Sequence, residues 1–131
     1  MNISSFSDLG RLVLRLSIAV PMVAQHGWSK LMNYSTLSNT FPDPLGVGSP
    51  VSLALVIFAE VFCSLAIALG LFTRLAALPP AFAMGVAFFV ATSGKPFGER
   101  ELPFLLMMGF ISIALIGPGS YSMDRFFRRK G

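Results

Sequence analysis

The chain has 131 residues, 54% hydrophobic and 12% charged, with ten Lys and Arg against six Asp and Glu for a net charge of +4. Mean hydropathy is +0.73; a soluble domain of this size would expose more apolar surface than its small core can hide, so the composition points to lipid. One cysteine, Cys63, leaves no internal disulfide and no cysteine-held metal or iron–sulfur cluster.

The first apolar segment, about residues 9–31, carries Arg11, Arg15, His26 and Lys30. At 100° per residue, Arg11, Arg15, His26, Ser29 and Lys30 form a polar stripe expected to face protein rather than lipid. A secretory signal peptide is the alternative for this stretch. Arg15 interrupts its apolar part and no small-x-small cleavage pattern follows, so a helix of the mature protein is expected. Trp28 and Tyr34 suit the aromatic belt of a membrane interface. The connection at 32–50 is too broken by Pro42, Pro44, Gly46, Gly48 and Pro50 for a full helix. It is expected to dip as an interfacial or re-entrant piece anchored by Phe41 and Leu45.

The second segment, about 51–72, is long enough to cross a bilayer at roughly 1.5 Å per residue and carries Glu60 near its middle. A carboxylate at that depth costs about 2.5 to 3.5 kcal/mol and must face a protein interior, a wet cavity or a partner charge. Arg15 is the expected partner, its long side chain bridging a modest offset. The third segment, about 75–92, contains Pro79-Pro80, which must kink or restart the helix. The fourth, about 102–117, is short and expected to extend into its flanks. Gly117-Pro118-Gly119 ends it, and Ser122 is placed to cap a short helix bearing Asp124 and Arg125. Four of the ten basic residues crowd the last seven positions, which suits a membrane surface, with Arg128, Arg129 and Lys130 against anionic headgroups, rather than nucleic acid.

These elements predict an all-α fold, a polytopic membrane four-helix bundle in one domain. With both termini on the side of Arg74, seven Lys and Arg face three, which predicts cytoplasmic termini. A ligand pocket is expected toward the opposite side, enclosed by the first two helices and the broken loop. Arg15, His26, Glu60 and Glu101 are its candidate ligand-binding residues, with Glu99 nearby. No metal site is expected, because a lone histidine lacks companion ligands, and Cys63 suits packing better than redox chemistry. No phosphate-cradling loop, dinucleotide fingerprint or nucleophile elbow is present, since Gly46-Val47-Gly48 lacks the required context.

In order along the chain stand Gly27-Trp28-Ser29-Lys30-Leu31, Ala59-Glu60, Leu69-Gly70-Leu71-Phe72-Thr73-Arg74, Glu101, and Gly117-Pro118-Gly119-Ser120-Tyr121-Ser122-Met123-Asp124. This order resembles the DoxX family of four-helix membrane proteins over nearly the whole chain. Members of that family are similar to the membrane subunit of an archaeal thiosulfate:quinone oxidoreductase, and others are described as oxidoreductases of thiol or redox-stress complexes. The resemblance marks Glu60, Arg74, Glu101 and Asp124 as the family's polar positions, Arg74 and Asp124 being structural candidates, and transfers no catalytic residue. It implies a membrane subunit of a quinone-linked oxidoreductase, in a bacterial or archaeal cytoplasmic membrane, binding quinone between helices while a soluble redox partner supplies electrons. The alternative is a non-enzymatic membrane module that binds a lipid or small solute or scaffolds a complex, as a homo-oligomer or with other proteins. No cofactor is expected to be held covalently or by a recognisable motif.

Overall fold

A computed structural model describes residues 3–130, with the side chains of Ile3, Arg129 and Lys130 left out of the description. The expected headgroup contacts of Arg129 and Lys130 therefore lie outside the described residues. The described residues form helices and no strand: four long rods, a short helix at Tyr34–Leu37 and a tail helix at Met123–Lys130.

The first rod covers residues 3–32 and is α-helical over Ile3–Pro21, π-helical over Met22–Gly27 and α-helical again over Trp28–Met32. Its π turns begin directly after Pro21, which has no N–H for the α-helical ladder. The second rod, Ser49–Leu69, also turns π-helical, over Phe58–Cys63. Ser64 donates its hydroxyl to the Ala59 carbonyl five residues back at 3.4 Å. Gly70 closes the rod with φ 73°, its N–H on the Ile67 carbonyl and the Leu71 N–H on that of Ala66. This is the Schellman arrangement, which only a residue at ease with positive φ can make.

The third rod, Thr73–Ala91, breaks at Ala77 and restarts at Leu78 with both prolines in its first turn. There the missing N–H groups would have had no helical partner anyway. The fourth, Phe97–Ile116, extends five residues before the predicted start. The rods pack in ring order, first to second to third to fourth and back to first, as short antiparallel connections require. All four meet in a core of Ala19, Met22, Cys63, Ile67, Ala76, Ala77, Leu106, Phe110 and Ile113. Cys63 is a packing residue of that core.

The second and third rods are long and apolar enough to cross a membrane by length and composition. Large apolar side chains such as Val13, Phe62, Leu69, Phe82 and Leu115 cover the outside, which water would penalise and lipid does not.

Candidate functional site

Gly27 has no side chain because the second rod lies against it. A Cβ there would stand 2.6 Å from Val61 Cγ2 and 3.0 Å from Glu60 Cβ. The two π-helical segments thus meet at Glu60, and the close approach lets Lys30, one turn further along, reach it. Lys30 Nζ lies 2.8 Å from one Glu60 carboxylate oxygen and 3.1 Å from the other, and also donates to the His26 carbonyl at 3.3 Å. The glutamate side chain is 4% exposed and the lysine side chain 23%.

The expected Arg15–Glu60 pair does not form. Arg15 is 1% exposed and sends its guanidinium to the Ile67 and Ala68 carbonyls at 3.2 and 3.3 Å. A further hydrogen bond goes to the Tyr121 carbonyl. The first two acceptors are last-turn carbonyls of the second rod, two of the orphan groups of any helix C-terminus, where positive charge is favoured. Arginine reaches the near end of the molecule instead of its middle.

Lys30 and Glu60 form part of the wall of a cavity of about 550 Å³ between the second and third rods, beneath the loop that precedes the second rod. The rest of the wall is nearly all apolar, with Phe58 and Leu55 on one side, Phe82, Ala83 and Ala87 on the other, and Phe41, Pro42 and Leu45 above. This corrects the expected enclosure: the third rod forms the second wall, and the first contributes only Lys30. His26, Glu99 and Glu101 are not among the lining residues; both glutamates are exposed. The predicted stripe fails for a physical reason. An i→i+5 turn takes up an extra residue, so positions after Met22–Gly27 are rotated by about 100° relative to a straight α-helix.

Asp43, which the sequence reading passed over, pins the loop above the cavity. Its carboxylate accepts the Val47 and Gly48 N–H groups at 3.0 and 2.7 Å and the Ser52 hydroxyl at 2.7 Å. Phe41 packs with Leu31 and Leu37 on the buried cluster Leu53, Ile57 and Val61. The Ser52 hydroxyl, followed by the Gly48 N–H, holds the Asp43 carboxyl below the usual carboxylate range. A depressed folded-state pKa contributes stability above the unfolded value of roughly 3.9 and loses it as pH falls through the folded value. Acidification below about pH 4 is therefore expected to release the loop before the rods separate. Asp43→Asn, with one acceptor oxygen in place of two, should release it at neutral pH. Hydrogen exchange of residues 41–48 measures both; unchanged protection in Asp43→Asn would show that apolar packing alone holds the loop.

At the tail end, Asp124 accepts the Phe72 and Thr73 N–H groups at 2.8 and 3.0 Å and donates its own N–H to the Gly70 carbonyl. The two turn motifs noted in the sequence thus close on each other, with Phe72 held at φ 46°. Ser122 accepts the Arg125 N–H at 3.2 Å and caps the tail helix. Arg74 rests against Gly117, where a Cβ would lie 2.8 Å from its Nε.

An all-α architecture with lipid-compatible outer faces and a buried ion pair beside an apolar cavity defines an integral membrane protein. The sequence profile of the DoxX family matches residues 10–93. The chain is also 32% identical over 127 residues to the inner membrane protein YqjF of Escherichia coli strain K12, covering 94% of this chain and 95% of that one. The chain belongs to the DoxX family. No solved structure matches it.

Proposed function

We propose that the protein is the membrane subunit of a quinone-linked oxidoreductase system for thiols or reduced sulfur, and that the cavity takes the quinone. The observation supporting this most directly is the Lys30–Glu60 pair in the wall of an otherwise apolar cavity of about 550 Å³, a volume ordinary for small-molecule sites. Quinone carbonyls accept hydrogen bonds, which the Lys30 ammonium supplies; quinol hydroxyls donate them, which the Glu60 carboxylate receives. Leu55, Phe58 and Phe82 are exposed as well as lining, so an apolar tail can leave sideways into lipid. Two thiols joining as a disulfide release two electrons and two protons, the number that converts one quinone to one quinol. Cys63 is the only cysteine and is buried, so those thiols belong to a soluble partner.

In this reading all four rods cross the membrane and both termini are cytoplasmic, from the seven-to-three bias in Lys and Arg. A cytoplasm-dependent reporter is then active after Arg74 and silent between Pro42 and Pro50; the reverse would invert the orientation. The ligand is tested by mass spectrometry of small molecules co-extracted with the purified protein, and by native mass spectrometry with decylubiquinone. Wild type is expected to retain quinone, and Ala87→Trp, which fills the cavity from the third rod, to lose it. Equal retention by the variant would overturn the placement. Recovery of phospholipid alone from the same cavity would favour a lipid-binding module without redox chemistry.

A further inference from the structure

A second cavity, of about 470 Å³, opens at the tail end of the molecule and is lined by Arg11, Arg74, Arg125 and Arg128. Two acids share this wall, and both are committed. Asp8 accepts the Ser120 N–H at 3.2 Å, the Ser120 hydroxyl at 2.8 Å and Arg11 at 3.3 Å. Asp124 is occupied by two backbone N–H groups of the turn into the third rod. Arg11 spends its remaining contact on the Ile116 carbonyl at 3.3 Å. The guanidinium groups of Arg74, Arg125 and Arg128 have no acceptor among the described residues.

The arrangement is built rather than incidental. Gly117, at φ 81°, leaves the space that Arg74 fills, with a notional Cβ 2.8 to 3.3 Å from Nε, Nη2 and Cζ. Gly119, at φ 82°, does the same for Arg11, whose Cβ and Cδ would stand 3.2 Å from a side chain there. The loop 117–120 thus fixes two cations on one wall, and the capped tail helix brings Arg125 and Arg128 to the other. Four like charges around one basin repel each other and raise the local concentration of anions. Planar guanidinium groups match phosphate oxygens in paired hydrogen bonds better than any other common anion partner. Phe72 and Leu75, 69% and 68% exposed, stand on the same rim and offer apolar surface beside the charges.

We propose that this basin binds a phosphate group, with Arg74, Arg125 and Arg128 as its ligands and Arg11 as a supporting charge. Lipid headgroups and free phosphate share this chemistry, and the apolar rim of Phe72 and Leu75 fits the headgroup of an anionic phospholipid. The site lies apart from the Lys30–Glu60 cavity and does not depend on the function proposed for it.

The test is native mass spectrometry and thermal shift of the full chain in detergent, with dioleoylphosphatidylglycerol, dioleoylphosphatidylcholine or inorganic phosphate added separately. Phosphatidylglycerol is expected to bind and stabilise, with an affinity that falls as salt is raised. Each of Arg74→Gln and Arg128→Gln should weaken it about tenfold, while Lys95→Gln, remote from the basin, should not. These arginines are exposed and bear no structural contact, so the variants fold. Stabilisation by inorganic phosphate with the same arginine dependence supports the site and assigns it to a soluble phosphate. Equal binding of phosphatidylcholine and phosphatidylglycerol, or binding that survives both arginine changes, overturns it.

Discussion

Lys30→Met is expected to destabilise the protein by about 3 to 5 kcal/mol, and Glu60→Gln by distinctly less. The asymmetry follows from burial. Removing the lysine strands a carboxylate on a side chain only 4% exposed, whereas removing the glutamate frees a lysine whose side chain is 23% exposed and can turn toward water. Replacing both, Lys30→Met with Glu60→Leu, should recover most of the loss, because a buried ion pair is worth little more than apolar residues of similar volume. Thermal unfolding in detergent with the double-mutant cycle measures the coupling. Additive losses would mean that the two charges are held independently. The same double variant is expected to lose quinone while remaining folded, which separates the pair's part in packing from its part in ligand binding.

That Glu60 would matter was legible because a lone carboxylate in an apolar run of membrane length has few explanations. Its partner was not. The register argument used one helical period throughout, and the π turns at Met22–Gly27 and Phe58–Cys63 rotate the faces on which it depended. Lysine at position 30 lay near the end of the predicted segment, where it is expected to turn outward; the absent side chain at Gly27 is what lets it turn inward. The helical class, the restart at Pro79-Pro80, the Gly117 stop and the Ser122 cap were readable, since each depends on neighbouring residues only. The third rod's part in the cavity was hidden: Ala83, Ala87 and Ala91, four apart, read the same whether they face lipid or a cavity. Asp43 could have been found, for an Asp followed by Gly46, Gly48 and Ser52 carries the signature of a turn built on a carboxylate.

Arg15 is where the tail end of the fold should be most sensitive. It supplies hydrogen bonds to three carbonyls contributed by the second rod and by the segment before the tail helix, so one side chain ties the first rod to two others. Arg15→Met should leave those acceptors without their charged donor, at about 1 to 3 kcal/mol for each that water cannot reach. Arg15→Lys should rescue little, since a single ammonium cannot span acceptors that a planar guanidinium reaches from two of its nitrogens. Gly70→Ala strikes the same point from the other side: it forces a side chain to φ 73° and places a Cβ 2.6 Å from Arg15 Nη1. The two losses should fall well short of additive in the double variant, because once the guanidinium is gone the alanine methyl has room. Asp124→Asn should loosen the same junction, as its amide group would face one of the two N–H donors at Phe72 and Thr73 with a donor of its own. Unfolding temperatures of the single and double variants, with hydrogen exchange at residues 66–73, measure the coupling. Full additivity of Arg15→Met and Gly70→Ala would show that the arginine and the turn stabilise the fold separately.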